Sequence, residues 1–228
     1  MVRSSNSRSL LPSPRRARRR DARRDAILRA AARIFRDRGF ADTGMREIAE
    51  AADLSPANLY HYFRGKDEIL YYCQDRTLDR LFSAVAHARR TSRHAGERLG
   101  AVLASHARTL LDDVEGATAH LEVGALPPML RGRVVIKRDR YERAVRRIVS
   151  DGIAGGEFIR VDPALVTRAM LGAVNWTATW FRPEGGTTGA DVGAAIADFL
   201  VRGISARPRA ARQPLRLVHA PRDEQEPT

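Results

Sequence analysis

Apolar residues in this chain recur at spacings of three and four along most of its length. Ile27, Ala30, Ala31, Ile34 and Phe35 begin the pattern. Ile69, Leu70, Cys73, Leu78, Leu81, Phe82 and Val85 continue it, and Leu99, Val102, Leu103, His106, Leu110 and Leu111 repeat it. That period puts one apolar stripe on each helix, and a stripe leaves water only by meeting another helix. No segment has a convincing strand pattern. The fold class expected is therefore all-α, with about nine helices. At 228 residues the chain is long enough for a sizeable core.

Gly, Pro and small polar residues punctuate the helices. Gly39 ends the first, Thr43 is read as the N-cap of the second, and Asp53 marks a turn. Ser55 is the next N-cap, with Pro56 at the first helical position of `PANLYHYF`. Asp162 and Pro163 open a helix running to about Phe181, `RPEGGTTG` is a loop, and a last helix spans about 189–205. The organisation expected is a disordered basic arm at 1–20, a helix-turn-helix head at 21–66, a helical body at 67–206 and a disordered tail at 207–228.

Charge is uneven. Residues 1–66 hold 16 Lys and Arg against 7 Asp and Glu, a net of +9 within a total of +13. The excess at that end points to a polyanionic partner. Of the 40 cationic residues 38 are Arg. Two readings fit them: phosphate recognition by guanidinium forks, or the codon bias of a GC-rich genome. The arm Arg15, Arg16, Arg18, Arg19, Arg20 is equally open, as a phosphate contact or as a solvated tail.

Thr43 to Phe63 has the length of two short helices, each of 8–9 residues, around a tight turn. Ile48, Ala49, Leu54 and Leu59 would pack them together, with Ile34 and Phe35 completing a three-helix core. The helix from Ser55 would then lay its first residues in a major groove. Asn58, Tyr60, His61 and Tyr62 lie on it, Arg46 on the helix before and Lys66 at the start of the helix after. Asn reads adenine bidentately, while Tyr and His at duplex edges bond phosphate.

`GFADTGMREIAEAADLSPANLYHYFRGKDEIL`, residues 39–70, resembles the DNA-binding head of the TetR family of bacterial repressors. The resemblance implies a head of about 50 residues and a helical body that binds a small effector and dimerises. It implies that Thr43 caps and touches phosphate and that Arg46 reaches DNA. Ser55 opens the reading helix, and Pro56, Ala57 and Asn58 face base edges. Tyr60, His61 and Tyr62 contact backbone or thymine methyls, and Lys66 grips phosphate. Asp53 stands where the family usually has Gly; Asp tolerates that conformation.

`AGGEFIRVDPALVTRAMLGAVNWTATWFRPEGG`, residues 154–186, is similar to the acyl-CoA-responsive branch of that family, which controls fatty-acid or steroid catabolism. The resemblance implies an apolar effector such as an acyl-CoA and a palindromic operator read by a homodimer. Arg168, Asn175, Trp176 and His106 are the ligand candidates. Small residues alternating with Trp176 and Trp180 suit a tight helix–helix seam, and equally the wall of an apolar cavity. Leu165, Ala169, Gly172 and Trp176, with Ile196, Phe199 and Leu200, are expected to form a four-helix dimer seam.

An enzyme is not indicated. No His, Cys, Asp or Glu cluster has metal-ligand spacing, and no P-loop, `GxGxxG` or `GxSxG` is present, so neither metal nor cofactor is expected. The single cysteine excludes an intrachain disulfide. No apolar run reaches the length of a membrane span, and no apolar segment follows the N-terminal arginines as a leader would need, so the location expected is cytoplasmic. The alternative function is a constitutive DNA-binding protein whose body only dimerises. A cavity of several hundred Å3 in the body separates the two readings.

Overall fold

The structure, a computed structural model, describes residues 14–112, 123–182 and 186–206. Among these residues it contains eight α-helices and one 3-10 turn, close to the nine helices expected. They are α1 Pro14–Arg38, α2 Met45–Ala51, α3 Pro56–Tyr60, α4 Lys66–Thr91, α5 Ala95–Leu111, the turn Val123–Ala125, α6 Pro128–Ala154, α7 Pro163–Trp180 and α8 Gly189–Ile204. The only strand-like feature described is an isolated bridge between Phe158 and Ser205. No helix among the described residues is long and apolar enough to cross a membrane.

The arm expected to be disordered over 1–20 is helical from Pro14 onward. Its arginines, Arg15, Arg16, Arg18, Arg19 and Arg20, are largely exposed, so they impose no cost of burial on the extended helix. Residues 1–13 and the expected tail at 207–228 lie outside the described residues.

In the head, Ile27, Ala31 and Phe35 of α1 are buried against Ile48 and Ala49 of α2 and Leu59 of α3. Gly39 adopts φ +82 and ends α1 as expected, its N–H donating to Phe35 O at 2.9 Å. Thr43 is not the N-cap of α2. Gly44 holds that position and its N–H donates to Glu47 Oε2 at 2.8 Å. The Thr43 hydroxyl instead donates back to Gly39 O at 2.8 Å, which ties the α1–α2 link to itself and buries the side chain. Ser55 does cap α3, its oxygen accepting from Asn58 N at 3.2 Å, with Pro56 at the first turn.

Both helices of the motif are shorter than the 8–9 residues expected. The α2 helix has seven residues and α3 has five. The α3 helix stops because Phe63 turns into the core, stacking edge-on with Tyr72 of α4 at 5.9 Å between ring centroids. Arg24 of α1 lies over the same pair of rings, 5.0 Å from Phe63 and 4.5 Å from Tyr72.

The α4 helix, about 39 Å long at 1.5 Å per residue, belongs to both halves of the molecule. Ile69, Leu70 and Cys73 complete the head core, and Leu78, Leu81 and Val85 enter the core of the body. Two charge contacts pin it. Arg76 pairs with Asp25 of α1, and Lys137 of α6 reaches Asp75 Oδ1 at 2.6 Å and Asp79 Oδ1 at 2.7 Å.

The α5 helix is the centre of the body, with Leu99, Val102, Leu103, Ala107 and Leu110 buried and α4, α6, α7 and α8 around it. The α8 helix approaches it closely. A Cβ on Gly193 would lie 2.9 Å from Ala104 O and 3.0 Å from the Ala107 Cβ, so only glycine permits that contact.

Glu157, between α6 and α7, closes the far end of the body. Its carboxylate accepts from the first amides of α5, Ala95 N at 2.9 Å and Gly96 N at 3.1 Å. Burial acts to raise its pKa. The two amide bonds, with His94 and Arg98 nearby, outweigh burial and hold the carboxyl below its ordinary 4.5. A depressed carboxyl contributes stability above its unfolded pKa and loses it as pH falls through the folded value. The stability difference between the unaltered protein and Glu157→Gln should therefore be constant from neutral pH to about 5 and shrink below 4.5. Thermal unfolding across that range measures it.

Candidate functional site

Two places in the molecule collect the residues expected to act. The first is the exposed surface of α2 and α3. Arg46, Ser55, Pro56, Ala57, Asn58, Tyr60 and His61 are all exposed there, around a concavity of about 420 Å3 lined by Arg46, Asp53, Ser55, Pro56 and Asn58. Tyr60 is 55% exposed, so it does not serve the core. The turn beneath holds its shape because Asp53 takes φ +54 and Arg23 of α1 donates to Asp53 O at 2.7 Å. A non-glycine residue at that angle is strained, and Asp and Asn are the types that bear it best.

Three residues expected on this surface sit elsewhere. Thr43 is buried in the α1–α2 link. Tyr62 is half-buried against the core. Lys66 turns inward, its Nζ donating to Phe40 O at 2.9 Å, Ala41 O at 3.0 Å and Thr43 O at 3.1 Å, and lying 4.7 Å from the Phe40 ring centroid. An ammonium has three donors, and three carbonyls take them. Lys66 thus fastens the α1–α2 link to the start of α4, and the phosphate grip expected of it has no donor to spare.

The second place is a half-open cavity of about 300 Å3 between α4, α5, α6 and α7. Leu78, Leu81, Leu110 and Leu171 form apolar walls; Gln74, Thr77, His106, Tyr141 and Asn175 supply polar atoms; Arg138 and Arg168 contribute guanidinium groups, and Asp139 and Glu142 carboxylates. His106 and Tyr141 share a hydrogen bond at 3.2 Å between Nδ1 and the hydroxyl, with their rings edge to face. Full burial pushes the Tyr141 phenol far above its ordinary value, so it stays neutral. Burial also lowers the Arg138 pKa, from a value high enough that the group remains cationic.

Three of the four expected ligand residues, His106, Arg168 and Asn175, line this cavity. Trp176 does not. It is 65% exposed on a neighbouring side of α7, beside the exposed Gly172 and Ala173. One residue along a helix is a turn of about 100°, so Asn175 and Trp176 cannot share a face. With Leu165, Trp180 and Phe199, each about half exposed or more, Trp176 belongs to an apolar surface on α7 and α8. Ile196 and Leu200, expected on that surface, pack partly into the core instead. Such a patch of large apolar side chains is the mark of an association surface.

Sequence reasoning missed Gln74, Arg138, Tyr141 and Glu142. A signal existed for Gln74, which shares a stripe with Leu70, Leu78 and Leu81; a polar residue in a core stripe marks a special site. For α6, whose 27 residues carry charge on nearly every face, no periodic signal distinguished the residues turned inward.

A family model described as bacterial regulatory proteins, tetR family, matches residues 27–73. Another, described as tetracyclin repressor-like, C-terminal domain, matches residues 92–204. The HTH-type transcriptional repressor KstR2 of Mycolicibacterium smegmatis is 27% identical over 187 residues, which cover 81% of this chain and 91% of that protein. The TetR family transcriptional regulator PfmR from Thermus thermophilus is 34% identical, with a TM-score of 0.72 over 77% of this chain and 97% of its own. AibR, whose crystal structure is in complex with isovaleryl coenzyme A and operator DNA, is 27% identical, with a TM-score of 0.70 over 81% of this chain and 98% of its own. The chain belongs to the TetR family of bacterial regulatory proteins. Its activity is DNA-binding transcriptional regulation, not catalysis.

Lys66→Met should lower the thermal midpoint of unfolding, because three carbonyls lose a charged donor together. It should do so with the slope of log affinity for DNA against log salt unchanged; a slope reduced by about one would restore the phosphate contact. Asn58→Ala should relax preference at one base pair by about 1–3 kcal/mol, and equal losses on operator and scrambled duplexes would remove it as a base reader. Phe199→Glu with Trp176→Arg should convert a dimer into a monomer in sedimentation at micromolar concentration.

Proposed function

We propose that this chain is a cytoplasmic repressor that binds a palindromic operator as a homodimer and leaves it when a small acyl-type effector, a CoA thioester, enters the body. Residues 21–66 are the DNA-binding unit and residues 67–206 the effector and dimer unit. The exposed cluster Arg46, Ser55, Pro56, Ala57, Asn58, Tyr60 and His61 is the DNA surface. Its reading edge, Pro56 and Ala57, is nearly apolar, so base discrimination rests on Asn58 and on the shape of the duplex. The arginines at the start of α1 add phosphate contacts without sequence preference.

The observation that carries the proposal is the cavity and its wall. A purely dimerising body has no use for 300 Å3 of lined space between its helices. Four of the lining residues, Gln74, Thr77, Leu78 and Leu81, come from α4, which begins in the head. A ligand that moves α4 moves the head against its partner. The cavity combines leucine walls with Arg138 and Arg168, set beside Asp139 and Glu142, and the guanidinium groups suit an acyl group attached to an anionic carrier. KstR2 is named a repressor, and AibR was solved with isovaleryl coenzyme A and operator DNA, which supports the same class of effector and a role at an operator.

Release requires the ligand to prefer the head spacing that does not fit DNA. A roughly 100-fold preference supplies about 2.7 kcal/mol of coupling per site. Titrating acyl-CoA thioesters of graded length into the protein–operator complex should free the DNA at saturating ligand. Failure of every thioester to bind or to release DNA would overturn the effector assignment and leave the family-level activity standing.

A further inference from the structure

The cavity carries polar atoms that a plain hydrocarbon cannot satisfy. Gln74 is 2% exposed, and neither its Oε1 nor its Nε2 has a hydrogen-bond partner. Asn175 Oδ1, on the α7 wall, is buried and accepts no hydrogen bond either. On the α6 wall, Glu142 Oε1 also accepts none, its ion partner Arg146 lying 3.8 Å away. Three helices therefore bring unpaired polar atoms to one small space. Buried polar groups are almost always paired, and those left over mark where a partner goes.

Three other polar groups on the walls have partners. Thr77 donates to Cys73 O at 2.9 Å, and His106 and Tyr141 bond each other. The unpaired atoms are richer in acceptors than in donors: two amide oxygens and a carboxylate oxygen against the Gln74 amide N–H groups. An amide can exchange the places of its O and N, but a carboxylate cannot become a donor while ionised. Arg138 and Arg168 add N–H donors to the same walls, but the Gln74 amide, unpaired at both its oxygen and its nitrogen, calls for a partner that donates as well as accepts. A hydroxyl does both, whereas a ketone or a thioester carbonyl only accepts.

Size limits the rest of the ligand. At about 300 Å3 the cavity lies at the low end of small-ligand pockets. A whole acyl-CoA exceeds that, so only part of such a ligand enters.

We infer that the buried part of the effector is a short acyl group bearing a hydroxyl, held between the Gln74 and Asn175 amides. This rests on the acyl-CoA reading and narrows it. The hydroxyl gives its proton to one amide oxygen and accepts from the Gln74 N–H, while the leucines cover the carbon chain. A saturated acyl group of the same length would fill the space and leave the amides unpaired, and sites of this kind discriminate strongly against such analogues.

The test is calorimetric titration of the full chain with hexanoyl-CoA and with its 3-hydroxy and 5-hydroxy derivatives. At least one hydroxylated thioester should bind about 10-fold or more tightly than hexanoyl-CoA. Gln74→Leu should bring that ratio within about twofold, and Asn175→Leu, on a different helix, should narrow it as well. Equal or tighter binding of hexanoyl-CoA by the unaltered protein would overturn the inference and leave the acyl-CoA reading intact; it is the result expected if an ordered water satisfies Gln74 in every state. A folded Gln74→Leu variant that keeps the full preference would also overturn it. If no thioester binds, both the inference and the reading beneath it fall.

Discussion

The structure depends on one helix serving two cores. The first turns of α4 are packed into the head by Ile69, Leu70 and Cys73, and the next turns into the body by Leu78, Leu81 and Val85. Neither half closes without it. The charge contacts follow the same division, since Arg76 pairs back to α1 while Asp75 and Asp79 reach forward to Lys137 of α6. Side chains within little more than one turn thus hold both units to one rigid rod. That is the physical basis for coupling a cavity in the body to the attitude of the head, because a helix transmits a shift along its length without absorbing it.

Much of this was legible in the sequence. The helical period of the apolar residues established the fold class and most helix positions, and local chemistry marked the ends well. Gly39 and the Ser55–Pro56 start hold as expected. The failures share a cause. Thr43 has the right residue type for an N-cap, and Lys66 the right type for a phosphate contact, but each found a nearer carbonyl. Local preference cannot see a partner 23 to 26 residues away, which is where Lys66 finds its acceptors. The five residues of α3 were over-extended for a similar reason: Phe63 is drawn out of the helix by a ring on α4.

The cavity was half legible. His106, Arg168 and Asn175 could be picked out as polar residues on apolar helices, and they converge. Trp176 misled because a large ring suits a pocket wall and an association surface alike, and only three-dimensional placement separates the two. The exposed face of α7 and α8 and the lined cavity then lie on adjacent sides of α7, roughly a quarter-turn apart.

The lone cysteine acquires a use from this arrangement. Cys73 is fully buried on α4 where it meets α1, with its sulfur 3.8 Å from Leu28 O. It immediately precedes Gln74, which faces the cavity. A thiol reagent reaches it only when α1 and α4 part, so the rate of labelling counts those openings. The protein carries a native clock at the junction between its two units, with no second thiol to confuse the reading.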